Sequence, residues 1–467
     1  MTHHALRPSS GPTRVERGRS PYRPRVTGAV RGGCGDPPRG KLRCSPDFAA
    51  RVSERLIWSV ALLAAMGCGW AARSEAAGPD VAAVGPRGPV GPDVPLTAAE
   101  KDRFARRITV EGRTAASVQE ACDRAAKEKV PVVFLPAGEY VFAGEVRVPG
   151  GLTILGQGAA TLVRTADKGT RLFRADGDGV RFTRLRLQGA DTTPGTDNDT
   201  YGIHALGAKD LRIDHCEFLG FCRATNFADE AAVQVDHCSI HDCPRDGLGY
   251  GVAIYSGAHV LVTDNEFSQC RHALASNGAL DWSSGERLGR FVHKAGVRPT
   301  HWEFVHNRVA GDDRTRSRLC AVDTHPGMDG TFVVEANLFE NLRHAVGIRD
   351  GSGLIRGNVF RNLVGYRPVA VSVGYGKHNG IPVENAMPRD IRIDENAYVD
   401  VGERTFAEGV VAESAEHKAA ARLRLGQAEN VTFDGNLIPE TRRPGKPAPP
   451  IPRLKPMADE VPAAKPD

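Results

Sequence analysis

Aromatic residues are scarce, 6% of 467 positions, and methionine occurs only five times. A chain this long with so few rings does not fold around one large mixed core; repetitive β architecture suits it better. Charge imbalance is also small: 61 Lys and Arg against 56 Asp and Glu leave a formal +5. Even that excess is local. Residues 1–50 carry +7, residues 51–77 carry +1, and the rest of the chain carries −3. A near-neutral body excludes global attraction to nucleic acid or anionic lipid. The apolar run Leu56–Ala65 is too short to anchor a chain across a bilayer. Glycine, by contrast, is abundant at 52 residues. With 41% hydrophobic and 25% charged residues, the composition excludes collagen, a multi-span membrane protein and wholesale disorder.

Residues 1–51 are rich in Arg, Pro and Gly and read as a disordered extension or a gene-model artefact, with translation beginning at Val52. Residues 52–77 have the order of a secretory signal peptide: Arg55, the short apolar run, then the small-x-small pattern Ser74-Glu75-Ala76. The expected location is therefore secreted, periplasmic or cell-envelope. Ala65-Met66-Gly67-Cys68 loosely resembles a lipoprotein box, a minor alternative. Residues 78–107 read as a linker and residues 439–467 as a solvated Pro- and Lys-rich tail.

Between them the sequence repeats. An aliphatic residue or Phe is followed, after two intervening residues, by Asn or Cys and then, after one more, by a further apolar residue. Examples are Ile213-Asp-His-Cys216-Glu-Phe218, Val262-Thr-Asp-Asn265-Glu-Phe267, Val334-Glu-Ala-Asn337-Leu-Phe339 and Phe433-Asp-Gly-Asn436-Leu-Ile438. Successive central positions are 22, 27, 42, 30, 21, 38 and 40 residues apart. The shortest spacing is one coil of a solenoid, and the excess is loop inserted on one side. Coils of this length with short alternating strands predict an all-β, single-stranded right-handed parallel β-helix over 108–438. Asn at the corner would stack into a ladder of amides. Seven cysteines follow the signal segment, and an odd number leaves at least one unpaired. Cys216 and Cys238 take the Asn position, and Cys243 and Cys270 share a second register with Leu342 and Leu363, so they read as stacked core thiols.

Ser117-Val-Gln-Glu120 has capping-box form, and Val118, Ala121, Cys122 and Ala125 mark one helical face. A helix here would cover the open edge of the first coil. This segment, with Leu152-Thr-Ile-Leu155-Gly-Gln-Gly158 after it, resembles the N-terminal module of pectate-lyase-like right-handed β-helix proteins. The resemblance implies the solenoid fold; that fold hosts lyases, hydrolases, epimerases, tailspikes and binding proteins, so it does not imply one chemistry.

Long insertions at 279–302, 310–319 and 374–390 should wall a groove. Alternation on the adjoining strands points Tyr255, Asn277, His325 and Arg349 outward in one column, with Asp323 on the same face. His272 and His344 fall at equivalent places in Cys270-Arg-His272-Ala and Leu342-Arg-His344-Ala. Asp323-Thr-His325-Pro326 is similar in content, though not in order, to the Asp-Pro-His-Asp motif of mannuronan C5-epimerases. These residues suit proton abstraction from a uronate: His325 or Tyr255 as base, Arg349 neutralising the sugar carboxylate, Asp323 orienting His325 or binding a metal, and His272 a further candidate. Asn277 and His344 would bind substrate, as would Trp282, Trp302, Arg287 and Arg290 around the first insertion. A glycosidase needs two carboxylates across the scissile bond, and the column supplies one. The expected partner is thus an acidic polysaccharide and the expected activity a lyase or epimerase. The alternatives are a non-catalytic glycan-binding protein or a glycoside hydrolase. No cofactor is required, although Asp191, Asp197 and Asp199 offer oxygen donors for Ca²⁺.

Overall fold

The residue ahead of each repeated Asn or Cys has left-handed backbone. In the computed structural model φ is +47° at His215, +52° at His237, +58° at Asp264, +56° at His306 and +53° at Ala336. None of these residues is β-branched, since a branched side chain fits that conformation poorly. Each such residue turns the chain sharply, and the residue after it points inward. A second left-handed position, Asp242, Gln269, Asn341 and Asn362, does the same before Cys243, Cys270, Leu342 and Leu363. Two corners per coil, five residues apart, thus underlie the sequence repeat.

The structure describes residues 84–311, 320–363, 369–374, 376–399, 423–425, 428–434 and 453–457. The expected extension at 1–51, the signal segment 52–77, the 312–319 part of the second insertion and Asn436 lie outside them. Among the described residues three parallel sheets of 12, 10 and 10 strands run the length of a right-handed β-helix. Successive coils are in register, so like residues stack. One inward column runs Ile154, Phe182, Ile213, Val235, Val262, Phe304, Val334, Ile355 and Ile393, all of it buried. Each such side chain contributes about 1.5–3 kcal/mol by leaving water.

The corner asparagines form a buried column. The backbone N–H of Asn265 donates to Asn307 Oδ1 at 3.0 Å, that of Asn307 to Asn337 Oδ1 at 2.8 Å, and that of Asn337 to Asn358 Oδ1 at 3.0 Å. Each carboxamide also donates to a carbonyl of the preceding coil, as Asn337 Nδ2 does to Phe304 at 2.8 Å. Polar corner groups that stacking removes from water are satisfied in this way. The seven described cysteines are free thiols, and Cys216, Cys238, Cys243 and Cys270 lie buried in the two corner registers.

Helix Ala115–Lys127 covers the first coil with Val118, Ala121, Cys122 and Ala125 turned inward. Its cap differs from expectation: Thr114 is the N-cap and Ser117 closes the box, so the helix begins before the predicted Ser117-Val-Gln-Glu120 start. Residues 84–107 do more than link. Arg87 forks onto Asp264, the Gly91 N–H donates to the His237 carbonyl, and Phe104 is buried against Val132 and Leu155. Part of the predicted tail also docks: Arg453 reaches Glu303 and Glu335 on the outer face of the 12-stranded sheet. No described helix is long and apolar enough to cross a membrane.

Candidate functional site

One 10-stranded sheet carries the candidate residues. Strands Tyr250–Ile254, His272–Ser276, Cys320–Thr324, His344–Ile348 and Val369–Val373 lie side by side in it. In four of them a small residue and an aliphatic one are buried in succession: Ala273-Leu274, Ala321-Val322, Ala345-Val346 and Ala370-Val371. Two consecutive inward residues break the alternation. His272 consequently shares the outer face with Asp323 and His325 although it has the parity of the inward Leu274.

The row containing Asp323 reads Ala253, Ala275, Asp323, Gly347 and Ser372 across successive coils. Small neighbours leave a depression, and longer side chains from three coils converge on the carboxylate in it. Arg349 donates from Nε to Asp323 Oδ1 at 3.1 Å and from Nη2 to Oδ2. His325 Nε2 lies 3.3 Å from Oδ2, and His272 Nε2 lies 3.7 Å from the same oxygen. Gly347 is required by space, because a Cβ there would sit 2.7 Å from Cys320 Sγ and 3.5 Å from Asp323 Oδ1.

Burial of Asp323 would raise its pKa, but His325 and Arg349 beside it hold it well below the usual carboxylate range. His272 is fully covered. Burial pushes it down to about 3, Asp323 opposing, so its ring is neutral. Its Nδ1–H donates to the Cys320 carbonyl, which leaves Nε2 as the lone-pair nitrogen, and that buried atom has no hydrogen-bond partner. Ligand atoms of His272, Asp323 and His325 all lie within 4.8 Å of one another, so this small cluster is able to coordinate a metal ion.

Above the cluster opens a cleft of about 530 Å³. Tyr250, Tyr255, Asn277, His325 and Arg349 are on its lining. Its wall comes from two insertions that pack on each other: Leu280 and Phe291 from one, Val383 and Ala386 from the other, form a small core of their own. That wall presents Trp282, Lys377 and His378. Trp282 is 49% exposed, and its ring lies 5.0 Å from that of His378, which is 5.9 Å from His325. Burial first, then repulsion by His325 and Arg349, pushes His378 down to about 4. Burial pushes the Tyr255 phenol up to about 12. Beneath the wall, Asp350 accepts from the backbone N–H groups of Gly327, Gly351 and Met387, tying the turn after His325 to the second insertion. Burial raises Asp350 to about 6 against those three donors.

The structure thus brings His325, Arg349, Tyr255 and Asn277 to the cleft, with Asp323 and His272 beneath it. Other expected residues fall elsewhere. Trp302 does not wall a groove: it faces the core, fully buried, and stacks on Phe332 at 5.2 Å. Arg287 pairs with Asp281, Arg290 pairs with Glu384, and neither lines the cleft. His344 Nε2 is 2.8 Å from Ser372 Oγ and likewise lies off the cleft. The proposed calcium donors already hold cations: Lys168 bridges Asp191 and Asp197, and Arg245 pairs with Asp199. Sequence reading missed Tyr250, Arg271, Lys377 and His378. Tyr250 has the parity of the inward Val252, so alternation turned it toward the core, and Arg271 lies just ahead of its strand; Lys377 and His378 sit in an insertion with no periodic signal.

Residues 177–287 match the family model described as right handed beta helix region. No curated protein sequence matches the chain. Among solved structures, an alginate lyase from Paenibacillus sp. FPU-7 superposes at 13% identity with a TM-score of 0.42, covering 71% of this chain and 95% of that one. PfbA, a surface adhesin of Streptococcus pneumoniae, gives 14%, 0.42, 70% and 76%. The catalytic domain of a GH87 alpha-1,3-glucanase gives 11%, 0.39, 74% and 66%.

Proposed function

We propose that this protein is an exported carbohydrate-active enzyme that cleaves a uronate-containing polysaccharide by β-elimination at the cleft above Asp323. The observation that carries the reading is the buried Asp323 carboxylate holding His325 and Arg349 at the cleft surface. Elimination needs the sugar carboxylate neutralised, a base for the C5 proton and an acid for the departing oxygen. Arg349 keeps guanidinium N–H groups beyond its fork to Asp323, and Lys377 lines the same cleft, so two cations are available for the carboxylate. With Nε2 of His325 turned to Asp323, Nδ1 is the ring atom left to take the C5 proton. The C5–H electrons form the C4=C5 double bond, the C4–O bond breaks, and the oxygen takes a proton. Tyr255, kept protonated by burial, suits the role of that acid rather than of the base.

Hydrolysis is less well supported, because no Asp or Glu is among the described residues lining the cleft. A second reading is glycan binding without cleavage. The exposed Trp282 favours it, since an aromatic wall serves binding and not chemistry. Incubating the purified protein with a panel of uronic-acid polymers separates the three. A lyase gives the ultraviolet absorbance of an unsaturated uronate, a hydrolase gives reducing ends without it, and a binding protein gives retention on the polymer with neither.

A further inference from the structure

Three groups converge on Asp323 Oδ2, and one of them cannot satisfy it as placed. The Arg349 fork donates. His272 does not: its Nδ1–H is committed to the Cys320 carbonyl, so its Nε2 lone pair faces the carboxylate oxygen at 3.7 Å. Two electron pairs confront one another at a place where His272 is 3% and Asp323 5% exposed. His325 Nε2 meets the same oxygen at 3.3 Å. Histidine whose second ring nitrogen donates to a backbone carbonyl is the usual form of a metal ligand, and the carbonyl fixes the tautomer.

From this geometry we infer that His272, Asp323 and His325 form a site for a borderline divalent transition ion of the zinc class, and that its occupancy switches off the catalytic base. The donor set is two imidazoles and one carboxylate. Ca²⁺ takes six to eight oxygens and is not suited to it; Zn²⁺ and its neighbours bind nitrogen and carboxylate ligands in small numbers. A carboxylate has about four lone-pair positions, so the Arg349 fork and an ion can share Asp323, and the fork orients it. The ion would take Nε2 of both histidines. His325 then carries its proton on Nδ1, the atom assigned to take the C5 proton, and can donate there but not accept. Binding of the ion stands on the cluster alone; the effect on rate rests on the lyase reading.

The test uses the full mature chain freed of metal by chelation and dialysis, then titrated with Co²⁺ and with Zn²⁺. One equivalent of Co²⁺ should give the visible absorption of a nitrogen-ligated ion, and Zn²⁺ should displace it. His272→Ala, and His272→Gln as the variant that best preserves packing, should each weaken Zn²⁺ by more than about 100-fold, beyond what loss of an outer partner costs. Their thermal transitions confirm that they are folded. In the rate assay, Zn²⁺ should inhibit the wild type, EDTA should reverse it, and the half-inhibiting concentration should rise by the same factor in His272→Gln. Wild type binding Co²⁺ no more tightly than a folded His272 variant overturns the site. Tight binding with rates unchanged or raised by Zn²⁺ overturns the switch. Tight binding with no unsaturated product in either form sinks the lyase reading and leaves the metal site standing.

Discussion

The guanidinium of Arg349 forks onto the carboxylate of Asp323 from the next coil, Nε to Oδ1 at 3.1 Å, and fixes the floor of the cleft. The Arg349 backbone is pinned as well, its N–H donating to Thr324 Oγ1 at 2.7 Å. Asp323→Asn removes the anion that both Arg349 and His325 address. We expect a fall in kcat of about 10²–10⁴-fold with the fold retained, as for loss of an orienting or proton-transfer group. Stability should drop by about 1–3 kcal/mol, less than for a fully buried pair, because the Arg349 side chain is 36% exposed and solvent screens it. Urea unfolding and initial rates on the same preparations check both.

Gly347 makes room for that floor. A methyl group at this position meets Cys320 Sγ at 2.7 Å and crowds Asp323. Gly347→Ala should destabilise by about 1–3 kcal/mol, as overpacking does, and lower the rate as well. The paired control Gly347→Ala with Cys320→Ala should recover stability, since the nearest clashing atom is gone. Failure of the double variant to recover would place the constraint elsewhere.

Asn337 accepts from the N–H and the side chain of Asn307, and its own Nδ2 donates to Phe304 O and Asn358 Oδ1. Asn337→Ala strands the buried backbone N–H of Asn307, while Asn307 Nδ2 keeps the Val262 and Val305 carbonyls, so we expect a loss of about 1–3 kcal/mol, the cost of one unsatisfied group. Because each coil is held by its neighbours, amide exchange should quicken in the adjoining coils more than near helix Ala115–Lys127. Equal protection across the solenoid would contradict this.

Asp350 gives a pH dependence of definite sign. Its value in the folded protein is raised to about 6 from an ordinary 3.8, chiefly by burial. The fold therefore prefers its protonated form, and the stability this confers is full below the unfolded value and lost as pH rises through about 6. Asp350→Asn cannot ionise. Its thermal midpoint relative to wild type should rise between pH 4 and pH 7, by the equivalent of about 2 kcal/mol, most of it below pH 6. Other groups, such as the buried His272, titrate equally in both proteins and cancel in the difference. A difference flat with pH contradicts the assignment.

Much of this was legible in the residues. The Asn and Cys positions marked the corners because a left-handed turn followed by an inward side chain recurs at each coil, and stacking demands that like residues repeat. Tyr255, Asn277, His325 and Arg349 were placed on one outer column by parity, and they line the cleft. Parity failed where the strand turns two successive residues inward, and nothing in Ala321-Val322 announces that local irregularity. Trp302 was misread for a related reason: proximity to an insertion suggested a wall, while its register with Val260 and Phe332 puts it in the core. Lys377 and His378 could not be placed at all, since an insertion takes its position from the partner it packs on, here through Phe291 and Val383.

The account centres on His325 acting as base beside Arg349. Its most direct measurement is the initial rate of unsaturated-uronate formation from uronic-acid polymers by metal-free wild type and by His325→Ala. The account predicts steady absorbance growth with at least one polymer in the wild type and a rate lower by about 10²–10⁴-fold in the variant, with polymer retention preserved in both. Retention of polymer without any unsaturated product in the wild type, or equal rates in the two proteins, would contradict it.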